Sequence, residues 1–187
     1  MRQWVDRVTR ALRLDSELFE EVEHDYSAGA QALFTVLAAS ACGGVGNLVA
    51  AWILGLRPSP WPSLIMMVAG FLVCWIVWSF VTMAIGTSVF GGSADMGEMQ
   101  RALGFAAAPG LLMLIPGLGV LIGVPWAMMA MVVGVRQALD FDTRRAIGTV
   151  LLGALAMTFV VLPTGCWLHA QGITSSPKAA LAQPAGP

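Results

Sequence analysis

"AQALFTVLAASACGGVGNLVAAWILGL" (residues 30–56) contains no charged residue. An α-helix rises about 1.5 Å per residue, so about 20 apolar residues cross a hydrocarbon core of about 30 Å. This segment is therefore long enough to span a bilayer. The composition agrees, because 57% of the 187 residues are hydrophobic, only 11% are charged and the mean hydropathy is +0.76. Soluble domains contain about a quarter charged residues, so the sequence predicts an integral membrane protein.

Further uncharged segments follow along the chain. Proline removes a backbone donor and breaks helices, so "RPSPWP" (57–62) should separate the first run from a second at 63–90. The uncharged stretch 102–135 is too long for one span. Its Pro109–Gly110 and Pro116–Gly117 pairs predict a turn, which gives either two spans or a re-entrant hairpin.

The predicted fold is therefore an all-α, polytopic membrane bundle of about five transmembrane helices, preceded by a short helical N-terminal arm. The spans are expected at about 30–56, 63–90, 102–117, 119–135 and 146–168, the arm at 1–29, and a disordered Pro-, Ala- and Ser-rich tail at 169–187.

The basic residues orient this bundle. Of the ten Lys and Arg residues, only Arg57 and Lys178 fall on one side of the five-span arrangement. Cytoplasmic loops carry the excess of Lys and Arg. We therefore expect the N-terminus in the cytoplasm and the C-terminus outside. A four-span chain with a re-entrant hairpin would instead keep the tail inside.

The arm combines a basic and an acidic helix. In the first, apolar residues from Trp4 to Leu12 share one helical face, opposite Arg7, Arg10 and Arg13. This pattern predicts a helix on the inner membrane surface or a helix packed on the cytoplasmic ends of the spans, and the two can hold together.

Asp15 or Ser16 should cap the second helix of the arm. Its many carboxylates would be repelled by anionic lipid, so we expect it to stand off the membrane or to pair with the basic helix. His24 lies among these carboxylates. Because no second His is near, a solvated helix face is favoured over a metal site.

"VRQALDFDTRRA" (135–146) concentrates charge between two apolar runs. It contains no nucleophile or His for catalysis, and a net charge of −1 attracts no nucleic acid. Attraction of arginine to anionic headgroups, about 1 kcal/mol per residue, can exceed the helix-dipole penalty in a first turn. The segment is interpreted as a topological anchor and as a docking surface beside the acidic arm. The residues assigned to it are Arg136 and Asp140, expected to pair, Asp142, expected to cap the last span, Arg144 and Arg145.

No enzyme motif, cofactor-binding motif or metal-ligand pattern is present in the sequence, and we predict neither an enzyme nor a cofactor. The spans lack ionisable residues near the bilayer centre, which argues against a proton-coupled pump. A small transporter or channel built around the Pro109–Pro116 break stays as the alternative. Small residues in the first span, including Gly43 and Gly44, predict close helix packing, and Asn47 is expected to hydrogen-bond to a neighbouring helix. The cysteines, which are interpreted as packing residues, are Cys42, Cys74 and Cys166.

The sequence resembles the Yip1 domain family. The matching stretches are "RVTRALRLDSELFEEVEHD" (7–25), "LGFAAAPGLLMLIPGLG" (103–119), Trp126 and "VRQALDFDTRRAI" (135–147). The resemblance implies a cytoplasmic arm, about five spans and no known catalytic site. Eukaryotic members engage Rab GTPases and carry an Asp-Leu-x-Gly-Pro signature before the first span. This chain has "HDYSAGAQAL" there, so a Rab partner is not expected.

The resulting hypothesis is a scaffold, adaptor or membrane-organising protein that acts through its arm and residues 135–146. Its expected partners are the lipid bilayer and other membrane proteins or further copies of the chain. The composition, rich in Ala, Gly and Arg, favours a bacterial inner membrane.

Overall fold

A computed structural model describes residues 1–170, and the side chains of residues 1–159. This part of the chain is helical without strands, which confirms the all-α prediction. Residues 1–153 form one compact unit, and a second unit begins at Ala154. The predicted disordered tail, apart from its first two residues, lies outside the described residues. The helices are α1 (Arg2–Leu12), α2 (Ser16–His24), α3 (Ala28–Ile53), α4 (Pro60–Phe90), α5 (Met96–Ala106), a 3₁₀ segment (Ala108–Leu114), a π segment (Gly119–Gly123), α6 (Val124–Ala138) and α7 (Thr143–Ala170).

Three helices of the described part are long and apolar enough to cross a membrane. They are Ala28–Ile53 with 26 residues, Pro60–Phe90 with 31 residues and Gly119–Ala138 with 20 residues. The all-helical membrane bundle is thus confirmed, and the five-span count stays a prediction.

The break between α3 and α4 has the predicted length but lies three residues earlier, since α3 ends at Ile53 and not at residue 56. The predicted start of the second run at residue 63 was late, because α4 already begins at Pro60. Pro60 and Pro62 lie in the first turn of α4, where backbone amides have no intrahelical acceptor and proline is tolerated. Gly55, with a φ of 79°, follows the end of α3.

The prediction of a helix over 102–117 was wrong. Helix α5 starts at Met96, between the predicted spans 63–90 and 102–117, because Asp95 and Glu98 form a capping box. It ends at Ala106, since Pro109 has no amide hydrogen to continue the helical ladder. The chain continues through the 3₁₀ segment.

A turn was predicted at two Pro-Gly pairs, and the chain reverses at only one of them. Pro109 and Gly110 lie inside the 3₁₀ segment, whereas the reversal occurs at Pro116–Gly117, where Gly117 has a φ of 77°. Glycine adopts this left-handed conformation without steric cost. The π segment and α6 form the returning limb.

Helix α5 is the centre of the 1–153 unit. It contacts α2, α3, α4 and α6. Its residues from Met99 to Ala106 are buried apart from Gln100. Helix α4 contributes little to this core. In its most apolar window only 6% of the residues are buried, so most of its surface is available to lipid.

Candidate functional site

The N-terminal arm is attached to the membrane domain by Arg101 of α5. Its side chain is buried, with the residue 7% exposed. Its Nε donates a hydrogen bond of 3.0 Å to the carbonyl oxygen of Val22, and a terminal guanidinium nitrogen donates to the carbonyl of Glu23. These carbonyls belong to the last turn of α2, where acceptors lack intrahelical donors and the helix dipole favours a cation. Arg101 therefore caps α2 from another helix.

Two tryptophans attach α1 in a similar way. The indole Nε1 of Trp126 on α6 donates a 3.0 Å hydrogen bond to the carbonyl of Leu12, the last residue of α1. At the other end of α1, the indole of Trp4 donates a 2.9 Å hydrogen bond to the hydroxyl of Thr35 on α3. Carbonyl groups at the C-terminal ends of both arm helices thus accept hydrogen bonds from side chains of the membrane domain.

The basic face of α1 is turned mainly toward α2. Arg7 is only 3% exposed, and its guanidinium contacts Glu21 and Asp25, each at 2.7 Å. Arg10 pairs with Asp15 at 2.8 Å and with Glu21 at 2.7 Å. The expectation that α2 would pair with the basic helix is confirmed.

The prediction that Arg7 lies on the face of α1 opposite the core was wrong. Arg7 is buried, and two carboxylates of the arm compensate the cost of burying its charge. Arg13 remains exposed. The apolar face of α1, with Val8 and Ala11, is buried in the core. Of the two interpretations of α1, the contacts within the chain match packing on the membrane domain.

The ion pairs lower the pKa values of the arm carboxylates. The hydrogen bond from Arg10 is the main cause of the lowered pKa of Glu21. Hydrogen bonds from Ser27 and then from Arg7 lower the pKa of Asp25 to about 2. Both groups therefore stabilise the arm above their ordinary pKa values, and this contribution is lost only as acid titrates the paired carboxylates.

Residues 135–146 do not pair as predicted. Arg136 donates a 3.0 Å hydrogen bond to the side chain of Gln137. Among the described residues it makes no ion pair with Asp140. Helix α6 ends at Ala138 and Asp140 has a φ of 54°, so the spacing of four residues no longer corresponds to one helical turn.

The other charges of this segment lie at the start of α7. Asp142 accepts a 3.0 Å hydrogen bond from the backbone amide of Arg145, as a helix cap does. Arg144 and Arg145 are exposed in the first turn. Within the described part of the chain, Arg145 approaches only Asp142, at 3.9 Å. Three carboxylates of the arm, those of Asp15, Glu21 and Asp25, pair with Arg7 and Arg10 of the arm instead.

The negative charge of Asp140 in residues 135–146 acts on Glu23 of the arm. Glu23 is buried, and its desolvation raises its pKa to about 7, with His24 lowering it and Asp140, Glu98 and Glu20 raising it. Throughout residues 1–159, no group of three or more His, Cys, Asp and Glu side chains is arranged to hold a metal ion. Cys42 and Cys74 are free thiols, and the side chain of Cys166 lies outside the described part.

The small residues of α3 form packing sites within the chain. An added Cβ at Gly43 would contact the side chain of Met113, and one at Gly44 would collide with Leu64 of α4. The hydrogen bond expected from Asn47 to a neighbouring helix is not made within the described part of the chain, and as a contact between chains it stays a prediction. The side chain of Asn47 is exposed, because it lies about 100° around the helix from Gly46, which faces the hairpin.

Sequence reasoning did not identify Arg101, Trp126 or Glu23 as contact residues. Arg101 was counted only as a cytoplasmic charge. Its one available signal was its position, since it is the single charged residue between Glu98 and Arg136 and lies within a segment capped by Asp95. A charged residue on the buried side of a helix requires a partner. The sequence does not show which partner this is.

The family comparison covers most of the chain. Residues 14–163 match the family model described as "Yip1 domain". The match includes α2, the hairpin and the start of α7. No curated protein and no solved structure is significantly similar to the chain. Together with the long apolar helices, the match identifies an integral membrane protein, and the chain belongs to the Yip1 domain family.

Proposed function

We propose that this protein is a non-enzymatic adaptor or scaffold that presents a rigid cytoplasmic surface to other membrane proteins. The observation that carries this proposal is the docking of the arm. Arg101, Trp126 and Thr35 hold the ends of α1 and α2. A fixed arm loses less conformational entropy when it binds a partner than a mobile arm would. The same docking leaves Glu17 and Glu20 of α2 exposed.

Cross-linking in cells tests the adaptor. A photo-reactive residue at Glu17 or at Glu20 is expected to capture the same protein, because the two exposed positions lie one turn apart on α2. The same residue at Val73, which is 61% exposed on α4, provides the control and should not capture it. If the proteins captured at Glu17 and at Glu20 differ from each other, or if Val73 captures them equally well, the adaptor proposal fails.

The membrane-facing side offers a second contact, for which we propose another membrane protein or a further copy of the chain. Asn47 is exposed within an apolar helix. A carboxamide in hydrocarbon gains about 1 kcal/mol from a hydrogen bond to a neighbouring helix. Since the described part of the chain supplies no such bond, an intermolecular partner is favoured. Cross-linked dimers in the same preparation would identify a second copy.

Transport is the alternative, and the irregular backbone between Ala108 and Gly123 is the observation that favours it. Non-helical backbone at membrane depth occurs where it is buried in protein or lines a cavity. Here the 3₁₀ segment packs against α3, with Gly110 close to Ala39, which favours burial. Flux across reconstituted vesicles that is lost on Pro109→Ala and Pro116→Ala would favour transport over the adaptor.

The proposed orientation has the arm in the cytoplasm and the tail outside, in a bacterial inner membrane. Exposed Arg144 and Arg145 support it, since they are free to meet anionic headgroups. A reporter fused after Lys178 should therefore give an outside signal, and Arg144→Glu with Arg145→Glu should reduce that signal. A cytoplasmic signal from the wild-type fusion would contradict five spans and favour the re-entrant hairpin.

A further inference from the structure

Glu23 is a buried carboxyl group without adequate partners. Its side chain is 8% exposed. The Oε1 atom lies 3.3 Å from Nδ1 of His24, and the buried Oε2 atom has no hydrogen-bond partner in the part of the chain that the structure describes. An ionised carboxylate in such a place is costly, because water is removed and no donor among the described residues replaces it at Oε2. A neutral carboxyl group costs much less.

The charges around Glu23 also oppose its ionisation. On α2 itself, Glu20 is acidic and His24 is the one favourable neighbour, while Glu98 of α5 and Asp140 after α6 add negative charge. Arg101 of α5 lies beside Glu23, but its guanidinium donates its hydrogen bonds to the backbone carbonyls of Val22 and Glu23. The elements packed on this side of α2 therefore favour the uncharged form.

We propose that Glu23 is a proton-dependent latch of the arm, neutral while α2 is docked against α5 and α6 and ionised when α2 moves away. The latch does not depend on any partner of the arm. The position of Glu23 supports the latch, since Glu23 is one of the two residues whose carbonyls accept hydrogen bonds from Arg101. A change in the charge of its side chain therefore acts directly at the contact that holds α2.

The direction of the pH effect follows from the proton count. Burial raises the pKa of docked Glu23 to about 7, whereas its ordinary value is 4.5. Between these values the docked arm binds a proton that the released arm does not. Docking therefore weakens as pH rises from about 4.5 to 7, by at most about tenfold per pH unit for this proton. Above pH 7 the loss is complete.

Between about pH 4.5 and 7, Glu23 contributes more to the pH dependence of docking than the other titratable groups of the arm. The ion pairs of Arg7 with Glu21 and Asp25 are lost only in more acidic solution, because their carboxylate pKa values are lowered. The pKa of exposed His24 is raised, first by its hydrogen bond to the carbonyl of Glu20 and then by Glu23. Its contribution is present below its ordinary pKa and is lost as pH rises, which is the same direction as for Glu23.

Hydrogen exchange of the α2 amides tests the latch in the full chain in lipid nanodiscs. Rates are divided by the intrinsic rates at each pH, so that only protection is compared. In the wild type, protection should fall at least tenfold between pH 5 and 7.5. In Glu23→Gln, which keeps the shape of the neutral acid, it should stay high and fall less than threefold. The exposed Glu17→Gln control should behave as the wild type.

A second variant decides the outcome if Glu23→Gln does not fold. Asp140→Asn removes a like charge near Glu23 and should move the midpoint of the fall to lower pH. The latch is overturned if wild-type protection is constant between pH 5 and 7.5, if Glu23→Gln keeps the full fall, or if Asp140→Asn leaves the midpoint unchanged. None of these results depends on proteins captured by the arm, so a failed adaptor and a failed latch are distinguishable.

Discussion

Arg101→Ala should release the N-terminal arm from the membrane domain. The substitution removes the guanidinium that donates to the carbonyls of Val22 and Glu23. A hydrogen bond from a charged donor is worth about 1.5–3 kcal/mol, so the loss of two should cost about 3 kcal/mol or more. This corresponds to a shift of about 100-fold in the docking equilibrium. Hydrogen exchange over residues 16–24 measures it.

Two further variants test whether the arm is released by the loss of these hydrogen bonds or only by the loss of a positive charge. Arg144→Ala removes an exposed arginine and should leave protection of α2 unchanged. Arg101→Lys keeps the charge but lacks the planar fork that reaches two carbonyls, so it should recover only part of the protection. If Arg101→Ala keeps wild-type protection of α2, the contact does not hold the arm.

Gly46→Ala should destabilise the packing of the hairpin on α3. An added Cβ would overlap the carbonyl oxygen of Met113 and lie 3.0 Å from its carbonyl carbon. The obstacle is backbone, which moves less easily than the end of a side chain. Overpacking of this kind costs about 1–3 kcal/mol. For a chain of this size, the thermal midpoint in detergent should fall by about 3–10 °C.

The same helix supplies matched controls. At Gly29 no atom lies within 4 Å of an added Cβ, so Gly29→Ala should stabilise α3 slightly, by up to about 1 kcal/mol. At Gly43 the nearest atom is Sδ of Met113 at 3.7 Å, an ordinary contact that alanine should tolerate. Equal midpoints for all three variants would contradict the close approach of Met113 to α3.

The sequence predicted the parts of the fold that depend on apolar length and on local capping. Helix α3 begins at Ala28 and α4 ends at Phe90, within two residues of the predicted runs. The cap at Asp15 also follows from a local pattern. The hairpin was predicted less well, because a run without charges does not distinguish α5, which is buried on most sides, from a lipid-facing span.

The contacts of the candidate site could be predicted from local sequence patterns even less well than the hairpin. Arg101 meets Val22 across 79 positions of sequence, and Trp126 meets Leu12 across 114. Helical spacing correctly placed Val8 and Ala11 on the apolar face of α1. It could not show that Arg7 would be buried by carboxylates of a second helix. Asp140 was assigned to a helical pair because the sequence does not reveal that α6 ends two residues earlier.

The separation of these contacts along the chain has a consequence for biogenesis. The arm is synthesised first, but the donors that fix its helices belong to α5 and α6. A nascent chain that has not yet produced Trp126 cannot hold the end of α1 in its final place. The arm therefore reaches its native position only after both limbs of the hairpin have been made. A natively placed arm therefore indicates that α5 and α6 have already been assembled.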